Sequence, residues 1–199
     1  MTRIHVYTMA LLACFSAALH ADSFIPTNGL VGYWPLDGDA ADLSGNGHHG
    51  SVVGDITFQS GVVGQAAGFD EGPDHITFGA GKLVTGNQVS VNFWMKSTDT
   101  NARPFTDNRG VYFYIRSSSG GAMRFTIATT QGHKFVQVHP DHFADDQWHM
   151  ITTTYDGAML TAYIDGQPMG SQAWSGDLVY QNREMVLGRR ENLSDMQFT

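Results

Sequence analysis

The chain has 199 residues, 42% of them hydrophobic and 15% charged, which is apolar material for one sizeable core and not comfortably for two. Nineteen acidic residues against eleven lysines and arginines leave a formal net charge of -8 without a basic run, and this excludes a nucleic-acid binder. A single cysteine, Cys14, excludes a disulfide framework.

In chain order, residues 1–21 read as an export signal. Arg3 sits in a short n-region, the stretch from Met9 to Leu19 is largely apolar, and small residues lead to Ala21. An apolar run of roughly a dozen residues is too short to span a bilayer, and no second run follows, so no transmembrane segment is expected. The mature chain is then secreted, periplasmic or on the cell surface. Leu11-Leu12-Ala13-Cys14 echoes a lipoprotein acylation box, but the apolar run continues through Phe15 and Ala18, and Leu12 stands where a small residue is usual. Cleavage after Ala21 is the preferred reading. Residues 22–28 form a short linker, and residues 29–199 form one domain.

From Leu30 onward, short apolar-alternating runs are separated by Gly, Asn, Asp and Ser clusters, with no stretch of helical period. The pattern predicts strands at 30–36, 51–58, 66–69, 75–78, 89–96, 111–116, 123–129, 134–139, 149–155, 159–164 and 185–188. So many strands in one domain imply an all-β, two-sheet antiparallel β-sandwich, and the lack of an internal repeat disfavours a propeller or solenoid. In the loop after the first of these runs, Asp37, Asp42 and Asn46 offer hard oxygens, while Gly38, Gly45 and Gly47 let carbonyls turn inward. That chemistry suits calcium, and a higher melting temperature with calcium is the expectation.

Parity along three central strands separates a core face from an outer face. Val89, Val91, Phe93 and Met95 share one side, as do Val111, Phe113 and Ile115, and Met123, Phe125 and Ile127. The other side then carries Trp94, Tyr112, Tyr114, Arg116 and Arg124, an aromatic and cationic set of the kind that holds sugar rings and their hydroxyls. These five are the expected ligand-binding residues. Further along, Ile151, Thr153 and Tyr155 alternate with Met150, Thr152 and Thr154 up to Asp156-Gly157, and the strand that follows stops at Asp165-Gly166. That is a β-hairpin with a turn signal at each end. Neither His48-His49 nor His139-Pro140-Asp141-His142 has a recognisable metal spacing, so both read as structural or exposed histidines.

Trp148-His149, Tyr155-Asp156-Gly157 and Tyr163-Ile164-Asp165-Gly166 followed by Gly170 resemble the late hairpin of laminin-G-like domains of the concanavalin A-like lectin/glucanase superfamily. Gly29-Leu30-Val31-Gly32-Tyr33-Trp34-Pro35-Leu36-Asp37-Gly38, the glycine-rich loop from Asp42 to Gly50, and Val186-Leu187-Gly188-Arg189-Arg190 are similar to other parts of that family, in the same order. The resemblance covers about residues 29–190. It implies a jelly-roll sandwich. It also implies a last strand that brings an acidic residue toward the N-terminal loop. That strand is missing before Thr199, which leaves a sheet edge unpaired, removes one metal ligand and suggests a truncated domain.

The superfamily includes glycanases and polysaccharide lyases. Retaining glycanases need two close carboxylates, and Glu71, Glu184 and Glu191 have no such spacing. Gln137-Val138-His139 matches a short strand of alginate lyases, but the companion strands of that site are not found. The sequence therefore leads to a secreted, non-catalytic module that recognises a carbohydrate or an extracellular protein ligand, with a structural calcium ion. The runner-up is a lyase centred on His139 with Tyr114 or Arg116. Third comes a structural or adhesin segment of a longer protein.

Overall fold

The computed structural model of the chain describes residues 28–69, 74–80, 86–100, 104–107, 113–117, 120–179 and 184–188. The expected export signal at 1–21 lies outside the described residues, as do positions 22–27 of the linker. Among the described residues no helix is long and apolar enough to cross a membrane. The compact unit Val31–Thr199 holds every described strand.

The architecture is all-β and antiparallel, as the alternation required. One sheet has seven strands in the order β1 (Ser51–Val53), β4 (His75–Ala80), β13 (Glu184–Leu187), β6 (Phe105–Asp107), β7 (Phe113–Ser117), β8 (Met123–Thr129) and β9 (Gly132–Val138). A second has four, in the order β12 (Gln167–Ala173), β11 (Met159–Ile164), β10 (Trp148–Tyr155) and β5 (Val89–Lys96). A separate hairpin joins β2 (Thr57–Ser60) to β3 (Gln65–Gly68). Met95, Ile151, Leu160, Ala162 and Ile164 from the four-stranded sheet share one core with Ile76, Ile115, Phe125, Val136 and Met185 from the seven-stranded sheet. Ile151 and Phe125 are both 0% exposed, and burying a side chain of that size contributes about 1.5–3 kcal/mol.

Several expected strands differ in the structure. Residues 30–36 make no ladder, although Trp34 and Leu36 pack against the core. Residues 51–58 are two strands, because Gly54 takes φ +89 and the chain turns there, with the Asp55 N–H donating to the Asp74 carboxylate at 3.0 Å. Two strands went unforeseen. β6 is only three residues long, and β12, Gln-Pro-Met-Gly-Ser-Gln-Ala, has no apolar alternation because it is an edge strand. Pro168 is tolerated there since an edge strand needs no second ladder.

The hairpin of β10 and β11 pairs Ile151 with Ile164 through Tyr155 with Leu160. At its first turn the Asp156 carboxylate accepts the N–H groups of Ala158 and Met159 at 2.9 and 2.8 Å. At the next turn Asp165 and Gly166 both have positive φ, 52° and 76°, the geometry of a two-residue type I′ turn.

Candidate functional site

β5 and β10 lie side by side over eight residues, with Trp94 opposite Met150, Asn92 opposite Thr152 and Ser90 opposite Thr154. On the other flank of β10, Thr152 faces Tyr163 and Thr154 faces Thr161. Because Met95, Ile151 and Ala162 point into the core, these alternate residues form the outer face of the four-stranded sheet. Trp94 is 47% exposed there. The Thr152 hydroxyl donates to the Asn92 carboxamide oxygen at 3.1 Å, and the Thr161 and Ser171 hydroxyls bond each other at 3.0 Å. At one end Lys96 pairs with Asp146 at 3.4 Å. Strands lie ~4.8 Å apart and rise ~3.4 Å per residue, so Trp94 on β5 and Tyr163 on β11, two strands apart and two residues out of register, stand ~12 Å apart, a span that a short oligosaccharide covers.

The other expected binding residues belong elsewhere. Arg124 is on β8, and Tyr114 and Arg116 are on β7, both strands of the seven-stranded sheet, whereas Tyr112 lies outside the described residues. Arg124 falls between the buried Met123 and Phe125, and so faces away from the core on the side opposite Trp94. The expected single face is thus corrected to two. Alternation along a strand tells inside from outside, but not which sheet the strand joins. On the seven-stranded sheet Arg116 is register partner to Arg124, and Gln137 on β9 is its partner on the other flank. The Arg124 guanidinium lies 4.5 Å from the centroid of the Phe135 ring.

The N-terminal loop closes on itself. The Asp42 carboxylate accepts from the N–H groups of Tyr33, Ser44 and His48 at 2.9, 2.8 and 2.9 Å and from the Ser44 hydroxyl at 2.9 Å. Burial pushes this carboxyl up, but the four donors outweigh it and hold the pKa at about 2. Asn46 turns its amide nitrogen, a donor, to the Val31 carbonyl at 3.1 Å, and Asp37 accepts the Gln65 N–H at 3.0 Å. A calcium ion needs converging acceptors, and here donors converge on Asp42 while Asp37 serves another contact. The three residues do not fit the expected ion. No group of three His, Cys, Asp or Glu that could hold a metal occurs among the described residues.

The histidines have local work. His49 Nδ1 accepts the Asp42 N–H at 3.1 Å. His139 caps the 3-10 turn Pro140–His142, which delivers the fully buried Phe143 to the core. His149 lies between two carboxylates, with Nδ1 2.7 Å from Asp165 and Nε2 3.0 Å from Asp145.

This arrangement of sheets is matched by known proteins. Residues 70–199 fit a laminin G family profile described as concanavalin A-like lectin/glucanases superfamily. The chain belongs to that superfamily. Among solved structures it is similar to domain 4 of an extracellular arabinanase from Geobacillus stearothermophilus, in complex with arabinotriose, at 21% identity and TM-score 0.63 over 81% of this chain and 83% of that one. The binding domain of Paraclostridial Mosquitocidal Protein 1 matches at 15% identity and TM-score 0.65 over 86% of this chain, which spans 48% of that one. Domains LG4-5 of mouse laminin alpha1 match at 16% identity and TM-score 0.50 over 62% of this chain and 36% of that one. At these identities the likeness is one of fold. No curated protein sequence matches.

Sequence reasoning placed Trp94 outward correctly but missed Met150, Thr152 and Tyr163 beside it. The signal was present in the hairpin, where Met150, Thr152 and Thr154 alternate with the buried Ile151, Thr153 and Tyr155. What the sequence could not supply was the pairing of β10 with β5, whose facing ends, Lys96 and Trp148, are separated by 51 residues of chain.

Proposed function

We propose that the chain is an extracellular, non-catalytic module that binds a carbohydrate on the outer face of the four-stranded sheet. One observation carries the reading: a tryptophan, Trp94, 47% exposed on a strand held by an eight-residue ladder, beside the bonded Asn92–Thr152 pair. An exposed indole on a sheet face offers an apolar surface to the C–H face of a sugar ring, and the neighbouring amide and hydroxyls offer partners for its oxygens. Tyr163 extends the same face by one further strand. The arabinotriose held by the arabinanase domain supports a carbohydrate as the class of ligand.

The test is a glycan panel, followed by titration of whichever glycan the wild-type protein retains. Trp94→Ala should weaken that binding about tenfold, since one aromatic stacking contact and its burial are worth about 1.4 kcal/mol. Because the indole is half exposed, the melting temperature of the variant should stay within a degree or so of wild type. Equal binding by Trp94→Ala, or no retained glycan at all, would sink this reading.

A further inference from the structure

His149 stands where β10 begins, next in the chain to Met150 of the outer face. Its imidazole, 15% exposed, has Nδ1 2.7 Å from Asp165 and Nε2 3.0 Å from Asp145. Asp165 comes from the turn between β11 and β12, and Asp145 from the segment that leads into β10. On β5 the register partner of His149 is the uncharged Met95, and the next residue, Lys96, is paired with Asp146 at 3.4 Å. The charges that act on the imidazole are therefore the two carboxylates.

These carboxylates are not held alike. Asp165 is locked in its turn, where Oδ1 accepts the Met150 N–H at 2.8 Å and its own N–H donates to the Met150 carbonyl at 2.9 Å. The Asp145 carboxylate accepts the N–H of Gln147, two residues on, at 2.9 Å, so among the described residues His149 is what ties it to the sheet. Segment 145–147 bends between two fixed points, the fully buried Phe143 and the ladder that starts with Trp148 opposite Lys96. In its middle Asp146 has φ 64°, a left-handed conformation that costs energy in a residue with a Cβ and persists only while neighbouring contacts hold it. Only an imidazolium donates from both ring nitrogens. A neutral ring keeps one proton, and the shorter contact to the better fixed carboxylate places it on Nδ1. Nε2 then turns a lone pair toward Asp145, two acceptors meet, and that contact is lost.

We infer that His149 is a proton-operated latch on segment 145–147: the imidazolium holds the segment against the turn at Asp165, and loss of the proton lets it open. Burial pushes the ring's pKa down, but the bonds to Asp165 and Asp145 push it further up, so the latch is closed in acid and opens above the ordinary value of 6.5. Asp146 moves with the segment and releases Lys96, which lies two residues from Trp94 on the same side of β5. The switch thus reaches the edge of the proposed glycan face, while the latch itself needs no ligand there.

Amide hydrogen exchange followed by NMR, corrected for the intrinsic rate at each pH, tests the latch beside a titration of the His149 ring through its Cε1–H signal. The Asp146 amide donates to the Ser97 carbonyl at 3.2 Å and the Gln147 amide to Asp145. As the ring loses its proton, both should lose protection about tenfold, the effect of one broken charge-assisted hydrogen bond. The Met150 amide, bonded to Asp165, should keep its protection. In Asp145→Asn, a change at a half-exposed side chain, and in His149→Gln, protection of Asp146 and Gln147 should no longer depend on pH. Thermal melting checks that each variant is folded, and if His149→Gln is not, Asp145→Asn decides alone. Equal protection on both sides of the ring's midpoint in wild type, or a pH-dependent loss that persists in folded Asp145→Asn, overturns the inference. So does a matching loss at Met150, which would put the break at Asp165. Because every readout is taken without a ligand, failure of the glycan reading leaves the latch standing, and failure of the latch leaves the glycan reading untouched.

Discussion

Replacing Asp42 with Asn is the sharpest test of what the N-terminal loop does. The carboxylate is 4% exposed and accepts four hydrogen bonds, two on each oxygen. Asn keeps the shape but turns an amide N–H₂ toward two of those donors, leaving both facing a group that cannot accept. Two routes give the magnitude. The fall in pKa from 3.8 to about 2 corresponds to about 2 kcal/mol at about 1.36 kcal/mol per pKa unit, and two orphaned donors at about 1–3 kcal/mol each give about 2–4 kcal/mol after partial relaxation. For a domain of this size that lowers the melting temperature by roughly 5–15 °C, measured by circular dichroism at neutral pH. The folded pKa lies below the unfolded one, so this stability is present above about 3.8 and is lost as pH falls toward about 2. The gap between wild type and Asp42→Asn should therefore close over that interval. Equal melting at neutral pH refutes the reasoning, and so does a gap that persists at the acid end. Since the donors already fill the carboxylate, calcium and chelator should give the same wild-type midpoint. A rise of several degrees with calcium that Asp42→Asn abolishes would show that the loop reopens to take the ion.

His149 carries a pH dependence of the opposite sign. Burial pushes the imidazole pKa down, but hydrogen bonds to Asp165 and Asp145 push it further up, and the net direction is upward. Only the imidazolium can donate from both ring nitrogens, so the clip between the two carboxylates contributes fully below the unfolded value near 6.5 and is lost as pH rises through the folded one. Wild type should thus lose more stability than His149→Gln between about pH 6 and about pH 9, read from urea midpoints. Parallel profiles would remove the clip. Gly54→Ala should lower the melting temperature by several degrees, because φ is +89 and a Cβ there would stand 1.9 Å from Asp74 Oδ1. An unchanged midpoint would mean that the Asp74 contact to the Asp55 N–H is not needed to turn the chain.

Strands β5, β8 and β11 could be read from the sequence residue for residue, since an eight-residue run such as Val-Ser-Val-Asn-Phe-Trp-Met-Lys has a period only a half-buried strand satisfies. The turns at Asp156-Gly157 and Asp165-Gly166 were equally legible, because their side chains and φ angles are local properties. Strand β12 was not, as an edge strand with a proline and five exposed residues, its first two and last three, carries no pattern to detect. Nor was the loop around Asp42. Oxygen-rich residues attract a cation or close a loop equally well on paper, and only the direction of four donors separates the two.

Composition and alternation alone determined that this chain is a two-layered antiparallel structure with Trp94 and Arg124 turned outward. Those are local consequences of strand geometry, in which successive side chains take opposite sides. Which sheet each strand joined was settled by pairing between distant segments, β5 with β10 and β8 with β9, and so by packing of the whole core. That assignment sends Trp94 and Arg124 to opposite sides of the protein and turns one expected binding face into two. Parity is a property of a single strand, whereas neighbourhood is a property of the assembled sheets.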